Sequence, residues 1–174
     1  PDLLGVQEAR ELQVRDFENA LPEYEFYGIG RDDGKTGGEF SGIFYRKNRF
    51  TRKDAGSFWL SATPDTPGTT FAAPPNKIPR IASWVRLTDT STMRDFVLLN
   101  MHWDHIDVPA REKSAALVRE RLATIAKDVP AIATGDLNCN DESPAFATLI
   151  AARANGRSLA DSYRQLHPQR SSDE

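Results

Sequence analysis

The alternation of apolar and polar positions is clearest over residues 94–103. Phe96, Leu98, Asn100, His102 and Asp104 share one parity, while Val97, Leu99, Met101 and Trp103 share the other. Both parities are apolar over most of this length, which predicts a strand buried on both faces. Polar groups enter on one face only, towards its C-terminal end. A second apolar run, residues 129–133, closes in Thr134-Gly135-Asp136-Leu137-Asn138. In extended geometry Asp136 and Asn138 point the same way, so they either converge on a ligand at a strand end or begin the turn into residues 140–144.

Earlier in the chain, residues 2–7 read as a short strand ending in Gln7-Glu8. Ala9, Leu12, Phe17, Ala20 and Leu21 then fall near helical spacing up to the break at Pro22. A strand over 24–29 leads into the turn-rich segment 30–38. Strands over 39–46 and 50–56 flank Lys47-Asn48-Arg49 and predict a hairpin. Residues 61–79, with Pro64, Pro67, Pro74, Pro75 and Pro79, form a long surface loop before a strand over 80–87. Ala115, Val118, Leu122, Ile125 and Ala126 give residues 110–127 an amphipathic helix with a solvated face of Arg111, Lys113, Arg119, Glu120 and Arg121. A short helix starts at Ser143-Pro144 as cap and first position, a further strand covers 159–163, and residues 165–174 are a polar end in which His167 is a surface residue. The irregular alternation of strands and helices predicts an α/β class with mixed sheets.

Composition narrows the function classes. The 174 residues suit one domain with a sizeable core, and 39% apolar with 27% charged residues is ordinary for a soluble globular protein. No run approaches the roughly 20 apolar residues of a membrane span. A net charge of −3 supplies no cationic field for gathering nucleic acid. Cys139, the single cysteine, forms neither an internal disulfide nor a thiolate metal cluster. The chain opens at Pro1 without a Met, so a leader is not visible and the compartment, cytoplasmic or exported, stays open.

The polar groups at predicted strand ends are Glu8, Glu39, Arg80, Asn100, His102, Asp104, Asp136 and Asn138. Taken singly, each has a plain reading. Glu8 suits a helix first turn, Glu39 a solvated or partnered edge, and His102 a hydrogen-bonded core position. Taken together, carboxylates and carboxamides without a Cys or multi-His cluster favour Mg²⁺, or Mn²⁺, over zinc. An arginine and a histidine suit a phosphate oxygen. The chemistry implied is metal-assisted attack of water on phosphorus.

Six segments occur in the order of a known family: Gly5-Val6-Gln7-Glu8, residues 38–46, residues 58–61, Pro79-Arg80-Ile81-Ala82-Ser83-Trp84, Asn100-Met101-His102-Trp103-Asp104-His105 and Thr134-Gly135-Asp136-Leu137-Asn138. The sequence resembles the endonuclease/exonuclease/phosphatase superfamily of deoxyribonuclease-like metal-dependent phosphoesterases, and within it the bacterial members. The resemblance implies a four-layer α/β/β/α sandwich of two mixed sheets flanked by helices, as a single domain over 1–174. It implies metal binding by Glu8 and Asp136, with Asp136 and Asn138 orienting the attacking water and holding the scissile phosphate. Asp136 is also the candidate general base. His102 would hydrogen-bond a phosphate oxygen, with Glu39 paired to it and keeping it protonated. Arg80 would neutralise phosphate charge, and Asp104 and His105 would support the site.

Two parts of the family pattern, an asparagine on the first strand and a catalytic histidine near the C-terminus, have no counterpart. The chain is therefore expected to be an internal piece truncated at both ends, monomeric, and by itself weakly active and poorly stable. The expected substrate is a phosphate ester from nucleic acid, a phospholipid headgroup, or a sugar or inositol phosphate. The charge balance leans away from long nucleic acids. A catalytically silent binding module is the alternative, against which stands the joint presence of Glu8, His102, Asp136 and Asn138.

Overall fold

Strand β6 (Arg94–His102) is buried from Val97 to His102, as its two apolar faces require. A computed structural model describes residues 1–152 and 156–168. Ahead of β6 come β1 (Leu3–Ala9), α1 (Glu11–Ala20), β2 (Tyr24–Tyr27), β3 (Phe40–Arg46), β4 (Phe50–Trp59) and β5 (Ile81–Asp89). After it come α2 (Val108–Ile125), β7 (Ala131–Asp136), α3 (Pro144–Ile150) and α4 (Ser162–Leu166). The strands form a three-stranded sheet, β1-β3-β2, and a four-stranded sheet, β4-β5-β6-β7. The parallel pairing is β6 with β7, and the other pairings are antiparallel.

The parity of β6 sorts the core into layers. Val97, Leu99 and Met101 pack with Ala115, Val118 and Leu122 of α2 and Leu149 of α3. On the opposite face Leu98 joins Val85 and Leu87 of β5 and Ile43 and Tyr45 of β3 in a cluster between the two sheets. Beyond the smaller sheet, Val14 of α1 packs with Ala9 and Phe40. Helix, sheet, sheet and helix are thus stacked as an α/β/β/α sandwich.

Helix ends follow their local chemistry. Asp107 accepts from the Ala110 amide at 2.9 Å with Pro109 in the first turn, so α2 begins at Val108, ahead of the apolar pattern. Ser143 accepts from the Phe146 amide at 3.1 Å and caps α3 as expected.

Two expectations are corrected. Residues 39–46 and 50–56 do not form a hairpin, because β3 and β4 lie in different sheets. Both edges of β3 are occupied by β1 and β2, and Phe50 turns into the layer between the sheets beside Ile43 and Tyr45. The short connection therefore crosses from one layer to the other. The strand expected over 159–163 is instead the approach to α4, since the Asp161 carboxylate accepts from the amides of Tyr163 and Arg164 and starts a helix. Of the polar end, residues 169–174 lie outside the described residues.

One side chain joins the two sheets. Asn100 is fully buried, and its Nδ2 donates at 2.9 Å to both Val6 O of β1 and Gly42 O of β3. Its Oδ1 accepts from Gln7 Nε2 at 2.6 Å and from Thr134 Oγ1 of β7 at 3.1 Å. The approach is close enough that a Cβ at Gly5 would sit 2.5 Å from Asn100 Oδ1. Replacing Asn100 by Leu strands two buried carbonyls and two side-chain donors. We expect Asn100→Leu to lower the unfolding free energy by about 3 kcal/mol or more in urea denaturation; a loss below about 1 kcal/mol contradicts the bridging role.

Candidate active site

The end of β1 is shaped by a bulge. Val6 pairs with Gly42 and Ala9 with Phe40, so β1 carries one residue more than β3 over this stretch. Glu8 sits within it at φ 61°, a left-handed conformation rare for a residue with a Cβ. The extra residue takes Glu8 out of the alternation of the strand and places its carboxylate beside His102 of the other sheet. Asn138 has the same kind of backbone, at φ 49°. Backbone strain of this sort persists where the surroundings over-determine it, and it clusters at functional sites. Gly135, at φ 147°, has no room for a Cβ, which would stand 2.1 Å from Met101 O.

Asp136 and Asn138 satisfy both readings of their stretch. Asp136 Oδ1 accepts from the Asn138 amide at 2.9 Å, which is the turn. Asp136 Oδ2 lies 3.9 Å from His102 Nε2, so the same carboxylate flanks the histidine. Asn138 Nδ2 donates to Trp103 O at 3.0 Å, fixing its amide against the end of β6.

His102, 5% exposed, is the centre of the cluster. Glu8 Oε1 stands 4.0 Å from its Nε2, alongside Asp136. Arg80 Nη1 lies 3.0 Å from Nε2 and 3.2 Å from Nδ1. A guanidinium only donates, so this contact needs a ring nitrogen with its lone pair free. Burial, and then the positive charge of Arg80, push the His102 pKa down to about 4 against the partial opposition of Asp136 and Glu8. A protonated His102 held by Glu39 was expected; in the metal-free protein this push favours the neutral imidazole, and Glu39 Oε2 is paired with Arg31 Nη1 at 2.5 Å.

Arg80 is itself buried, with its pKa lowered by desolvation and by the nearby Arg31. Its Nη2 donates to His105 Nδ1 at 2.7 Å. Its Nε is 3.7 Å from Asp104 Oδ2, and both atoms are buried without a hydrogen bond. Asp104 Oδ1 accepts from the amides of Ile106 and Asp107 at 2.8 and 2.7 Å, which fixes the carboxylate beside Arg80. His105 goes further, since it also lines the cleft.

Glu8, Glu39 and His102 offer ligand atoms that all lie within 4.8 Å of one another. Two carboxylates and a neutral imidazole, with Asp136 flanking the same ring nitrogen, fit a hard divalent cation. The cleft beside them has a volume of about 370 Å³ and is lined by Glu8, Arg31, Glu39, Ile78, Arg80, His102, His105 and Asn138. Asn100, by contrast, is turned wholly to the contact between the sheets. Arg31 was not distinguishable in the sequence, where it opens a segment that reads only as turn.

A fold of two sheets between helices, with carboxylates gathered at the strand ends, matches the Endonuclease/Exonuclease/phosphatase family model over residues 1–169, and the chain belongs to that family. Among solved structures, a mannosyl-6-phosphatase of Bacteroides thetaiotaomicron is 41% identical, with a TM-score of 0.81 over 86% of this chain and 55% of that one. A family member from Bacteroides vulgatus is 40% identical, with a TM-score of 0.80 over 84% and 56%. The human nocturnin catalytic domain, at 18% identity and TM-score 0.76 over 95% and 60%, shares the fold. The chain thus spans just over half the length of these structures. No curated protein sequence matches it. No helix among the described residues is long and apolar enough to cross a membrane.

The depressed His102 pKa sets a pH dependence for the metal-free protein. Between the ordinary value of 6.5 and about 4 the unfolded chain binds a proton that the folded chain excludes. The stabilisation is therefore complete above pH 6.5 and is lost as pH falls towards 4, on the order of 3 kcal/mol from this group. An NMR titration of His102 should find a midpoint near 4; an unshifted midpoint contradicts the neutral assignment.

Proposed function

We propose that this chain carries the site of a divalent-metal-dependent phosphate-ester hydrolase acting on a small phosphorylated polar molecule. The observation that carries the reading is the gathering of Glu8, Glu39, His102 and Asn138 around one cleft with the buried cation Arg80, and the Asp136 carboxylate 3.9 Å from His102. The cleft's 370 Å³ lies near the small end of ligand pockets, roughly 300–1,000 Å³. The mixed lining, two carboxylates against two guanidinium groups, and the net charge of −3 provide no continuous basic track for a polyanion. A relative 41% identical bears the name mannosyl-6-phosphatase, which favours a sugar phosphate as the substrate class. A silent binding module has no need for all of these groups at once.

Glu8 and Asp136 would hold Mg²⁺ or Mn²⁺, and Glu39 stands close enough to contribute. When bound there, the cation supplies Lewis-acid withdrawal of charge from the phosphoryl group. The side chains do the rest. Arg80 offsets the negative charge that builds on the phosphoryl oxygens. Asn138 uses one amide N–H on Trp103 O and keeps a second for a phosphoryl oxygen. Neutral His102 donates from the ring nitrogen that does not accept from Arg80. As a water oxygen bonds to phosphorus, Asp136 takes the water proton. The phosphorus–oxygen ester bond breaks, and the departing alcohol oxygen keeps the electron pair and is protonated from solvent.

The test uses the intact protein on p-nitrophenyl phosphate and mannose 6-phosphate, with Mg²⁺ and after chelation. Asp136→Asn should lower kcat by about 10²- to 10⁴-fold, as loss of a general base does. Turnover that survives either chelation or Asp136→Asn contradicts the proposed chemistry.

A further inference from the structure

The geometry points to Arg31 as a second guanidinium for the substrate phosphate, one that selects phosphomonoesters over diesters. The inference rests on the hydrolase reading above and names the substrate class within it.

Arg31 is fixed in place from several sides. Its amide donates to Glu39 O at 3.1 Å, and its carbonyl accepts from the Trp59 indole. Its loop is closed by Gly30 N to Lys35 O at 2.9 Å and Asp32 N to Gly37 O at 3.0 Å, with a bridge from Gly30 to Phe40. A Cβ at Gly30 would stand 2.2 Å from Gly37 O, so this tight closure requires glycine there. The side chain, 14% exposed, reaches Glu39 through Nη1. Its Nε is buried without a hydrogen bond, 4.0 Å from Asp32 Oδ1, and Nη2 has no partner among the described residues.

Arg31 lines the same cleft as Arg80. Two guanidinium groups that repel one another across a small cleft, each with a buried Nε lacking a hydrogen bond, are an arrangement a multiply charged anion relieves. Glu39 orients Arg31 through Oε2, while the Glu39 carboxylate also stands within the Glu8–Glu39–His102 cluster. The arginine is thereby held at the border between the metal-ligand side and the phosphate.

The donor count favours a monoester. Arg80, Asn138 and His102 already offer enough donors for the two unesterified oxygens of a diester, which carries one negative charge. A terminal phosphate has three such oxygens and a second charge with a pKa near 6. The free edge of Arg31 matches that extra oxygen and charge, as guanidinium forks do.

The experiment compares wild type, Arg31→Ala and Arg31→Lys of the intact protein. It measures kcat and KM on p-nitrophenyl phosphate and bis-p-nitrophenyl phosphate, and inorganic phosphate binding by calorimetry. Losing a charge-assisted hydrogen bond weakens binding by about 10- to 100-fold. Arg31→Ala should weaken phosphate binding and reduce the monoester-to-diester ratio of kcat/KM by a factor in that range. Arg31→Lys, which keeps the charge without the fork, should recover only part of each. Equal losses on both esters, unchanged phosphate affinity, or no phosphate binding by wild type would overturn the assignment. The hydrolase reading fails separately, through Asp136→Asn or chelation, and the phosphate affinities decide the role of Arg31 even then.

Discussion

The carboxamide of Asn100 is the interaction on which the rest depends. It is buried between two sheets and spends its donors on Val6 and Gly42 and its acceptor on Gln7 and Thr134. Those partners belong to β1, β3 and β7, and the reactive groups stand at the ends of β1, β6 and β7. Fixing the sheets at Asn100 fixes the distance from Glu8 to His102 and Asp136 two residues further along. A hydrophobic contact would hold the layers together as well, but it would not set their register.

Around that fixed point the site is built from locally unfavourable choices. Glu8 and Asn138 adopt left-handed backbone, and Arg80 is a cation withdrawn from water whose Nε lies near a carboxylate without a hydrogen bond. Each choice has a geometric return. The bulge takes Glu8 out of the strand alternation, the turn at Asp136 leaves its second oxygen facing His102, and burial together with the guanidinium pushes the His102 pKa down. A neutral imidazole beside three carboxylates remains a donor or ligand without cancelling the negative charge that attracts a cation.

Much of this was legible in the sequence. The two parities of residues 94–103 gave the strand buried on both faces, because side chains alternate strictly across a strand. The order of short segments led to the family. What the sequence hid was pairing at a distance. Residues 39–46 and 50–56 look like a hairpin because alternation says nothing of which sheet a strand joins. The pairing of Glu39 with Arg31 was not visible, because Arg31 lies in a segment whose glycines and aspartates speak only of turns. Nor was the downward push on the His102 pKa, which comes from burial and then from Arg80 and which no local pattern displays. Asn100, read as a strand-end polar group, proved to be the joint between the sheets.

The central claim is that three strand ends, set by one buried joint, form a single metal and phosphate site. Its most direct test is the anomalous signal of Mn²⁺ in crystals of the intact protein grown with inorganic phosphate. The expected result is an ion among the carboxylates of Glu8, Asp136 and Glu39, with phosphate against Arg80. An ordered ion bound elsewhere while that cluster stays empty would contradict it.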